Sequence, residues 1–155
     1  MLKWLNLSAL VIVFDQLSKW WANSALELYQ SIAVLPFFNI TLAYNHGAAF
    51  SFLASESGWK RWFFTGLAVV VSIVLLVWLK RLKTDAKLEA ISLALILGGA
   101  LGNVIDRVVH GYVIDFIDVY YGTYHWPAFN VADSAICVGA ILLILDSFRN
   151  KTEQK

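Results

Sequence analysis

The feature that most restricts the fold of this 155-residue chain is an uncharged run from Trp62 to Leu79. About 20 mostly apolar residues form a helix long enough to cross the hydrocarbon core of a bilayer. The composition agrees, because 59% of the residues are hydrophobic and only 15% are charged, whereas about a quarter are charged in soluble domains. The sequence therefore predicts an all-α integral membrane protein, with one domain covering residues 1–155.

Three other segments have a similar character. Residues 90–105 are uncharged, and in the segment 131–148 one early acid, Asp133, is followed by an apolar stretch that reaches Leu145. The first segment is apolar up to Phe14 and then contains Asp15 and Lys19. We therefore predict four transmembrane helices, near residues 4–22, 61–79, 88–107 and 131–148. A cleaved signal peptide is an alternative interpretation of the first segment, but two charges followed by two tryptophans are not typical of a cleavage site.

The distribution of lysine and arginine predicts the orientation of the helices, because cytoplasmic loops are enriched in these residues. One side would carry Lys3, Lys80, Arg81, Lys83, Lys87, Arg149, Lys151 and Lys155, and the other Lys19, Lys60, Arg61 and Arg107. This asymmetry places both termini in the cytoplasm and the loops 23–60 and 108–130 outside. Aromatic residues gather at the outer boundary, as in an interfacial belt: Trp20, Trp21, Trp59, Trp62, Tyr120, Tyr121, Tyr124 and Trp126.

The two outer loops carry strand-like patterns. Residues 39–52 mix β-branched and aromatic side chains around a turn signal at Asn45-His46-Gly47, which predicts a hairpin. Residues 112–120 are also strand-like. We expect these extracytoplasmic loops to form a small β-containing platform on the membrane surface.

The composition excludes several classes of function. A net charge of +1 provides no basic field for nucleic acid. Cys137 is the single cysteine, so an internal disulfide and a multi-cysteine metal site are excluded. The three histidines lack the spacing of zinc ligands, and no G-x-S-x-G elbow is present. We therefore expect no metal and no cofactor.

Polar residues of three helices fall at one depth near the outer surface. The first helix contributes Asp15, Ser18 and Lys19, the third Asn103, Asp106 and Arg107, and the fourth Asn130 and Asp133. Spacings of three or four residues place each set on one helical face. Asp115 follows the third helix closely enough to join them. Because ionisable side chains inside a membrane are costly, such a layer indicates a functional site.

Each acid also has a purely structural interpretation. Asp133, three residues after Asn130, is placed to cap the fourth helix, where an acid suits the helix dipole. Asp106 would pair with a cation such as Arg107, and Asp15 would brace helix packing. Asp115 and Asp118 would be solvated loop acids. The glycines of the third helix, Gly98, Gly99 and Gly102, are typical of close helix contacts.

Taken together, the acids favour carboxylate chemistry. Two carboxyl groups a few ångströms apart share one proton, so that one acts as a base and the other as an acid. A transporter or proton relay is the main alternative, but it requires polar groups through the full membrane depth. A non-enzymatic scaffold is the third hypothesis, but a scaffold does not require paired acids at one depth.

Five motifs carry a resemblance that covers nearly the whole chain. They are Asp15-Gln16-Leu17-Ser18-Lys19, Asn45-His46-Gly47-Ala48-Ala49-Phe50, Gly102-Asn103-Val104-Ile105-Asp106-Arg107, Val113-Ile114-Asp115-Phe116 and Phe129-Asn130-Val131-Ala132-Asp133-Ser134. In this order the motifs resemble those of the signal peptidase II family of aspartyl peptidases.

The resemblance implies an aspartyl endopeptidase, multi-pass in the bacterial cytoplasmic (inner) membrane, with its active site at the extracytoplasmic face. It implies cleavage of prolipoproteins immediately before a diacylglyceryl-modified cysteine. The implied residues are Asp115 and Asp133 as catalytic dyad, Asn45, Asn103, Arg107 and Asn130 as substrate-binding residues, and Asp15 and Asp106 as supporting acids. The implied partners are prolipoproteins, membrane lipid and inhibitors of the globomycin type, and we expect a monomer.

Overall fold

The computed structural model describes residues 2–47 and 59–153. Within these residues the chain forms four long helices and a small sheet. The helices are α1 (Leu5–Ala25), α2 (Trp59–Arg81), α3 (Lys87–Val109) and α4 (Val131–Glu153), and a short 3-10 turn (Leu2–Trp4) precedes α1. The strands are β1 (Ser31–Leu35), β2 (Phe38–Asn45), β3 (Val113–Tyr121) and β4 (Tyr124–His125).

The apolar runs of the sequence become the helices. Stretches of α2, α3 and α4 are long and apolar enough to cross a membrane: Arg61–Arg81, Lys87–Val109 and Val131–Arg149. All four predicted helices are present, and their starts agree with the prediction to within two residues. The chain is therefore a helical membrane protein with a small antiparallel sheet.

Helix α3 lies at the centre and packs against α1, α2 and α4. Its glycines make this possible. A methyl group at Gly98 would lie 2.8 Å from the Ser8 carbonyl of α1, and one at Gly99 would collide with the Ala132 carbonyl of α4. One at Gly102 would lie 2.6 Å from the Asp15 carboxylate. The predicted role of these glycines in close helix contacts is confirmed.

Two apolar clusters hold the elements together. One joins α2 to α3 near the α2–α3 connection, through Leu75, Leu79, Ala90, Leu93 and Leu97. The other joins the end of α1 to the sheet, through Ala22, Leu26, Leu42, Ile114 and Phe116. The second cluster fixes β3 beneath the helix ends, which is where the polar residues of the site lie.

The sheet is antiparallel, with strand order β1-β2-β3-β4. The strand predicted at 112–120 is confirmed by β3. β2 also forms a hairpin with β1 that the sequence did not predict, across a turn at Pro36-Phe37. Phe37 takes a φ of 71° there, which sequence rules assign to glycine or asparagine. Asn45-His46-Gly47 lies at the end of β2, with Gly47 at φ 88°. The second half of the predicted hairpin, residues 48–52, lies outside the described residues.

Candidate active site

The site lies where the sheet meets the ends of α1 and α3 and the start of α4. Asp115 is on β3 and Asp133 is in the first turn of α4. Asn130 joins them, because its side-chain Nδ2 donates to Asp115 Oδ1 over 2.7 Å. Its backbone N–H also donates to Asp133 Oδ2 over 3.3 Å. The structure thus brings together two aspartates that are 18 residues apart in sequence.

Asp133 and Asn130 also form the predicted helix cap. Asn130 Oδ1 accepts the backbone N–H of Asp133 at 2.9 Å, while Asp133 accepts the N–H of Asn130. Such reciprocal bonds satisfy N–H groups that the first turn of a helix leaves without partners. The cap therefore fixes the side chain of Asp133 to the start of α4, next to Asp115.

Two further amides hold the carboxylates. Asn45, at the end of β2, donates to Asp115 Oδ2 over 3.0 Å, and its own Oδ1 accepts the N–H of Gly47. Asn103 of α3 donates from Nδ2 to Asp133 Oδ1 over 2.8 Å. Asn103 Oδ1 accepts from Asn130 Nδ2 at 3.2 Å. Three asparagines from three different elements therefore surround the two acids with donors.

The two acids differ in their surroundings. Asp115 is 2% exposed, whereas Asp133 is only partly buried. Burial, followed by the nearby charge of Asp133, raises the pKa of Asp115 to about 7, although hydrogen bonds from Asn45 and Asn130 oppose the shift. Asp115 therefore holds a proton more readily than an ordinary aspartate near neutral pH.

A buried ionic cluster lies behind the two acids. Lys19 is 1% exposed and forms salt bridges to Asp15 at 2.8 Å and to Asp106 at 2.9 Å. Its ammonium also donates to Asn103 Oδ1 over 2.9 Å. Asp106 thus pairs with a cation, as its structural interpretation expected, but the cation is Lys19 and not Arg107. Lys19 is one of the four cations assigned to the outer side by the sequence. Because it is buried, it is not a charge of the outer loops.

Arg107 lies on the same side of α3 as Asn103, one turn further on, and is partly buried. Its Nη1 donates to the Asn103 carbonyl over 3.3 Å, and its guanidinium lies 5.9 Å from the ring centre of Phe64. A guanidinium offers five donors in a fixed plane. Arg107 is therefore placed to present donors beside the acids.

Comparison with known proteins identifies the family. A sequence model described as signal peptidase (SPase) II matches residues 7–149. The chain belongs to the signal peptidase II family. It is thus an aspartic-type peptidase of a bacterial membrane enzyme family. The match does not favour the transporter or proton-relay alternative.

Individual relatives agree with this assignment. A lipoprotein signal peptidase from Alteromonas mediterranea is 60% identical over 149 residues, covering 96% of this chain and 82% of that protein. One from Pseudomonas syringae pv. tomato is 60% identical over 152 residues, covering 97% and 88%. Among solved structures, a bacterial membrane enzyme obtained by the in meso method at 2.3 Å resolution superposes with a TM-score of 0.87. It is 32% identical, covering 99% of this chain and 92% of that one.

The structure places all the residues predicted for a signal peptidase II site in one region, together with Lys19 and Gln16. Lys19 was predicted to lie in the polar layer but was given no role there, and Gln16 was named only within its motif. Gln16 donates to Asp106 Oδ1 over 2.9 Å and to Asp15 Oδ2 over 3.1 Å. The spacing of Asp15 and Lys19, four residues apart on a helix, is the signal that would have indicated their pairing.

Asp118 does not behave as the solvated loop acid that was expected. It is buried, and it accepts a hydrogen bond from Thr41 and one from Asn39. His125 contacts its other oxygen at 2.7 Å. Burial acts to raise the pKa of Asp118, but the hydrogen bonds outweigh it and hold that pKa below its ordinary value. Asp118 therefore ties β3 to its neighbouring strands.

Among the residues that the structure describes, this site gathers neither a set of metal ligands nor the cysteine. Within residues 2–47 and 59–153, no three His, Cys, Asp or Glu side chains are grouped to hold a metal ion. Cys137 is exposed on the outside of α4. The groups that the described site offers for catalysis are thus carboxyl, amide and guanidinium groups.

Proposed function

We propose that this signal peptidase II removes signal peptides from prolipoproteins, cleaving before a diacylglyceryl-modified cysteine, with Asp115 and Asp133 as its catalytic dyad. The observation that carries the proposal is the double contact of Asn130, which bonds one acid through its side chain and the other through its backbone. Two carboxyl groups a few ångströms apart share a proton, so that one acts as a base and the other as an acid. In this proposal the contacts of Asn130 hold Asp115 and Asp133 in that relation. The names of the relatives support the substrate class.

The different burial of the two acids supports a division of roles. Asp115 carries the shared proton, and Asp133, nearer to solvent, is the base that takes a proton from the attacking water. The water oxygen bonds to the carbonyl carbon while Asp115 protonates the carbonyl oxygen. Collapse of the tetrahedral intermediate then breaks the C–N bond. Asp133 gives the proton that it took from water to the leaving amine, and Asp115 recovers its proton from a hydroxyl group of the intermediate. The products are a carboxylate on the signal peptide and a new amino terminus on the lipidated cysteine.

Substrate binding is assigned to the polar groups around the dyad. In this proposal Arg107 grips peptide carbonyls, since its planar donors suit a place where water is scarce. Asn45, Asn103 and Asn130 keep the acids in place and contact the substrate backbone from the same side. A globomycin-type inhibitor would occupy this position, and membrane lipid would surround the diacylglyceryl chains of the substrate.

The membrane arrangement is part of the proposal. We infer four spans in one peptidase domain of the bacterial inner membrane, working as a monomer, with both termini in the cytoplasm and the site at the outer face. The burial of Lys19 makes the lysine and arginine asymmetry larger, because it removes a cation from the outer side. Reporter fusions after Lys83 and after Lys155 are expected to read as cytoplasmic, and those between β1 and β2 as external. A reversed pattern would contradict the orientation.

The decisive experiment is a cleavage assay on a lipid-modified prolipoprotein with purified Asp115→Asn and Asp133→Asn variants. Each is expected to lose about 100- to 10,000-fold in kcat, the usual contribution of a positioned acid or base, while remaining folded. Asp118→Asn is the matched control, since it makes the same substitution on β3 and is expected to keep cleavage. Substantial turnover by either dyad variant would overturn the assignment. EDTA is expected to leave the rate unchanged.

A further inference from the structure

Each acid of the buried ionic cluster also holds the backbone immediately before one member of the dyad. Asp15 Oδ1 accepts the N–H of Ala132 at 2.9 Å, and Ala132 directly precedes Asp133. Asp106 Oδ2 accepts the N–H of Ile114 at 3.0 Å, and Ile114 directly precedes Asp115. The two supporting acids therefore reach the two halves of the dyad by the same kind of contact.

Lys19 connects these two contacts. Its ammonium has three N–H donors, and the structure gives it three acceptors: Asp15 Oδ2 at 2.8 Å, Asp106 Oδ2 at 2.9 Å and Asn103 Oδ1 at 2.9 Å. Lys19, Asp15 and Asp106 are each 1% exposed or less. Because the cluster is shielded from water, the position of the Lys19 ammonium fixes the separation of the Asp15 and Asp106 carboxylates.

The contact with Asn103 adds a second effect. An amide side chain presents an oxygen on one side and an NH₂ group on the other. With the ammonium of Lys19 against Oδ1, the NH₂ group of Asn103 faces Asp133. The reversed amide would direct NH₂ at the ammonium and oxygen at the carboxylate, which is repulsive on both sides.

We propose that Lys19 is a positioning residue for catalysis: by bridging Asp15 and Asp106 and by orienting Asn103, it sets the separation and alignment of Asp115 and Asp133. The proposal rests on the dyad of the proposed function. Lys19 touches neither dyad carboxylate in this role, and it acts through backbone segments and one amide. A displacement of about 1 Å between reacting groups is enough to cost about 100-fold in rate.

The test distinguishes a positioning role of Lys19 from a role limited to stabilising the buried charges of Asp15 and Asp106. Lys19→Met keeps the length of the side chain and removes the ammonium. Its kcat on a lipid-modified prolipoprotein is expected to fall by about 100-fold with KM changed by less than about threefold. Leu93→Ala is the matched control. It removes apolar contacts in the α2–α3 cluster, away from the dyad, so it is expected to lower the melting temperature and to keep its kcat.

A second variant covers the case in which Lys19→Met leaves Asp15 and Asp106 charged and unpaired and so fails to fold. The triple variant Asp15→Asn/Lys19→Met/Asp106→Asn removes all three charges, and its asparagine oxygens still accept the two backbone N–H groups. Its melting temperature is expected to recover while kcat stays about 100-fold low. Recovery of kcat together with stability would overturn the proposal. A wild-type protein that fails to cleave would instead overturn the proposed function.

Discussion

Helices α2 and α3 are both 23 residues long and pack side by side, but they differ in burial and in the residues that they contribute to the site. The membrane-crossing stretch of α2 is the more hydrophobic, and only 22% of it is buried in the protein. In α3 the buried share is 56%. The more hydrophobic helix, α2, is therefore the one that exposes most of its surface outside the protein. The less hydrophobic helix, α3, carries the site.

The difference has a physical cause. A polar side chain is costly in lipid, but it is tolerated inside the protein when every donor and acceptor finds a partner. Helix α3 contacts three other helices, so Asn103 and Asp106 find partners from α1 and α4 and from the chain around β3. Between Trp62 and Leu79 helix α2 has no charged residue. Between α2 and α3, the higher hydrophobicity belongs to the helix that is less buried in the protein, and the lower to the helix that carries the site.

The largest expected contrast comes from one substitution made in each helix. Gly99→Ala in α3 places a methyl group against the Ala132 carbonyl and 2.7 Å from the Ile136 side chain. We expect a loss of about 3 kcal/mol in unfolding free energy, the upper end for overpacking, because a backbone atom has to move. Gly66→Ala in α2 meets no atom within 4 Å and is expected to gain up to about 1 kcal/mol from helix propensity. Equal thermal stability of the two variants in detergent would remove the contrast.

A pair of arginines gives the next contrast. Arg107→Ala in α3 is expected to weaken globomycin binding by about 10- to 100-fold, equivalent to a charged hydrogen bond of about 1.5–3 kcal/mol, with the melting temperature nearly unchanged. Arg61 of α2 donates to the Val108 carbonyl over 2.8 Å, so Arg61→Ala is expected to lower the melting temperature and leave affinity intact. Inhibitor affinity and melting temperature would be measured on the same preparations. Unchanged affinity with a large loss of stability in Arg107→Ala would make Arg107 a structural residue.

The smallest effect concerns pH. Since burial raises the pKa of Asp115 to about 7, the dyad loses its shared proton as the pH rises through that value. The rate is therefore expected to be high below pH 7 and to fall about tenfold per unit above it. Asn45→Ala removes a hydrogen bond that lowers this pKa, so the alkaline limb is expected to move upward by up to about one unit, or 1.4 kcal/mol. Arg61→Ala is expected to keep the wild-type profile, and an identical limb in Asn45→Ala would argue against Asp115 as the titrating acid.

Helix positions could be predicted from the sequence because the bilayer demands long apolar runs, and charged residues mark their ends. Grouping of the acids could be predicted because the orientation of each helix fixes the depth of its polar residues. The partner of Asp106 could not be predicted. Asp106 has Arg107 beside it in sequence, yet it pairs with Lys19, because neighbours on a helix point about 100° apart while the α1–α3 contact brings Lys19 opposite.

The hairpin shows the other kind of limit. Gly47, in the predicted turn signal, has a positive φ, but a turn signal does not say which strands it separates. The turn that joins β1 to β2 lies at Pro36-Phe37, where a phenylalanine adopts a conformation that such residues rarely take. The pairing of β2 also involves β3, which begins 68 residues after β2 ends, and a local turn signal carries no information about it.

The salt bridge between Lys19 and Asp15 lies within a single helix, four residues apart, and this has a consequence for biosynthesis. The contact from Asp15 to Ala132 spans 117 residues, so α1 emerges from the ribosome long before its partners exist. In the proposed four-span arrangement, α1 enters the bilayer with its two charges already neutralising each other. Asp15 and Lys19 reach their partners on α3 and α4 only after those helices have been translated. In this arrangement the enzyme acquires its activity only when the last helix is inserted.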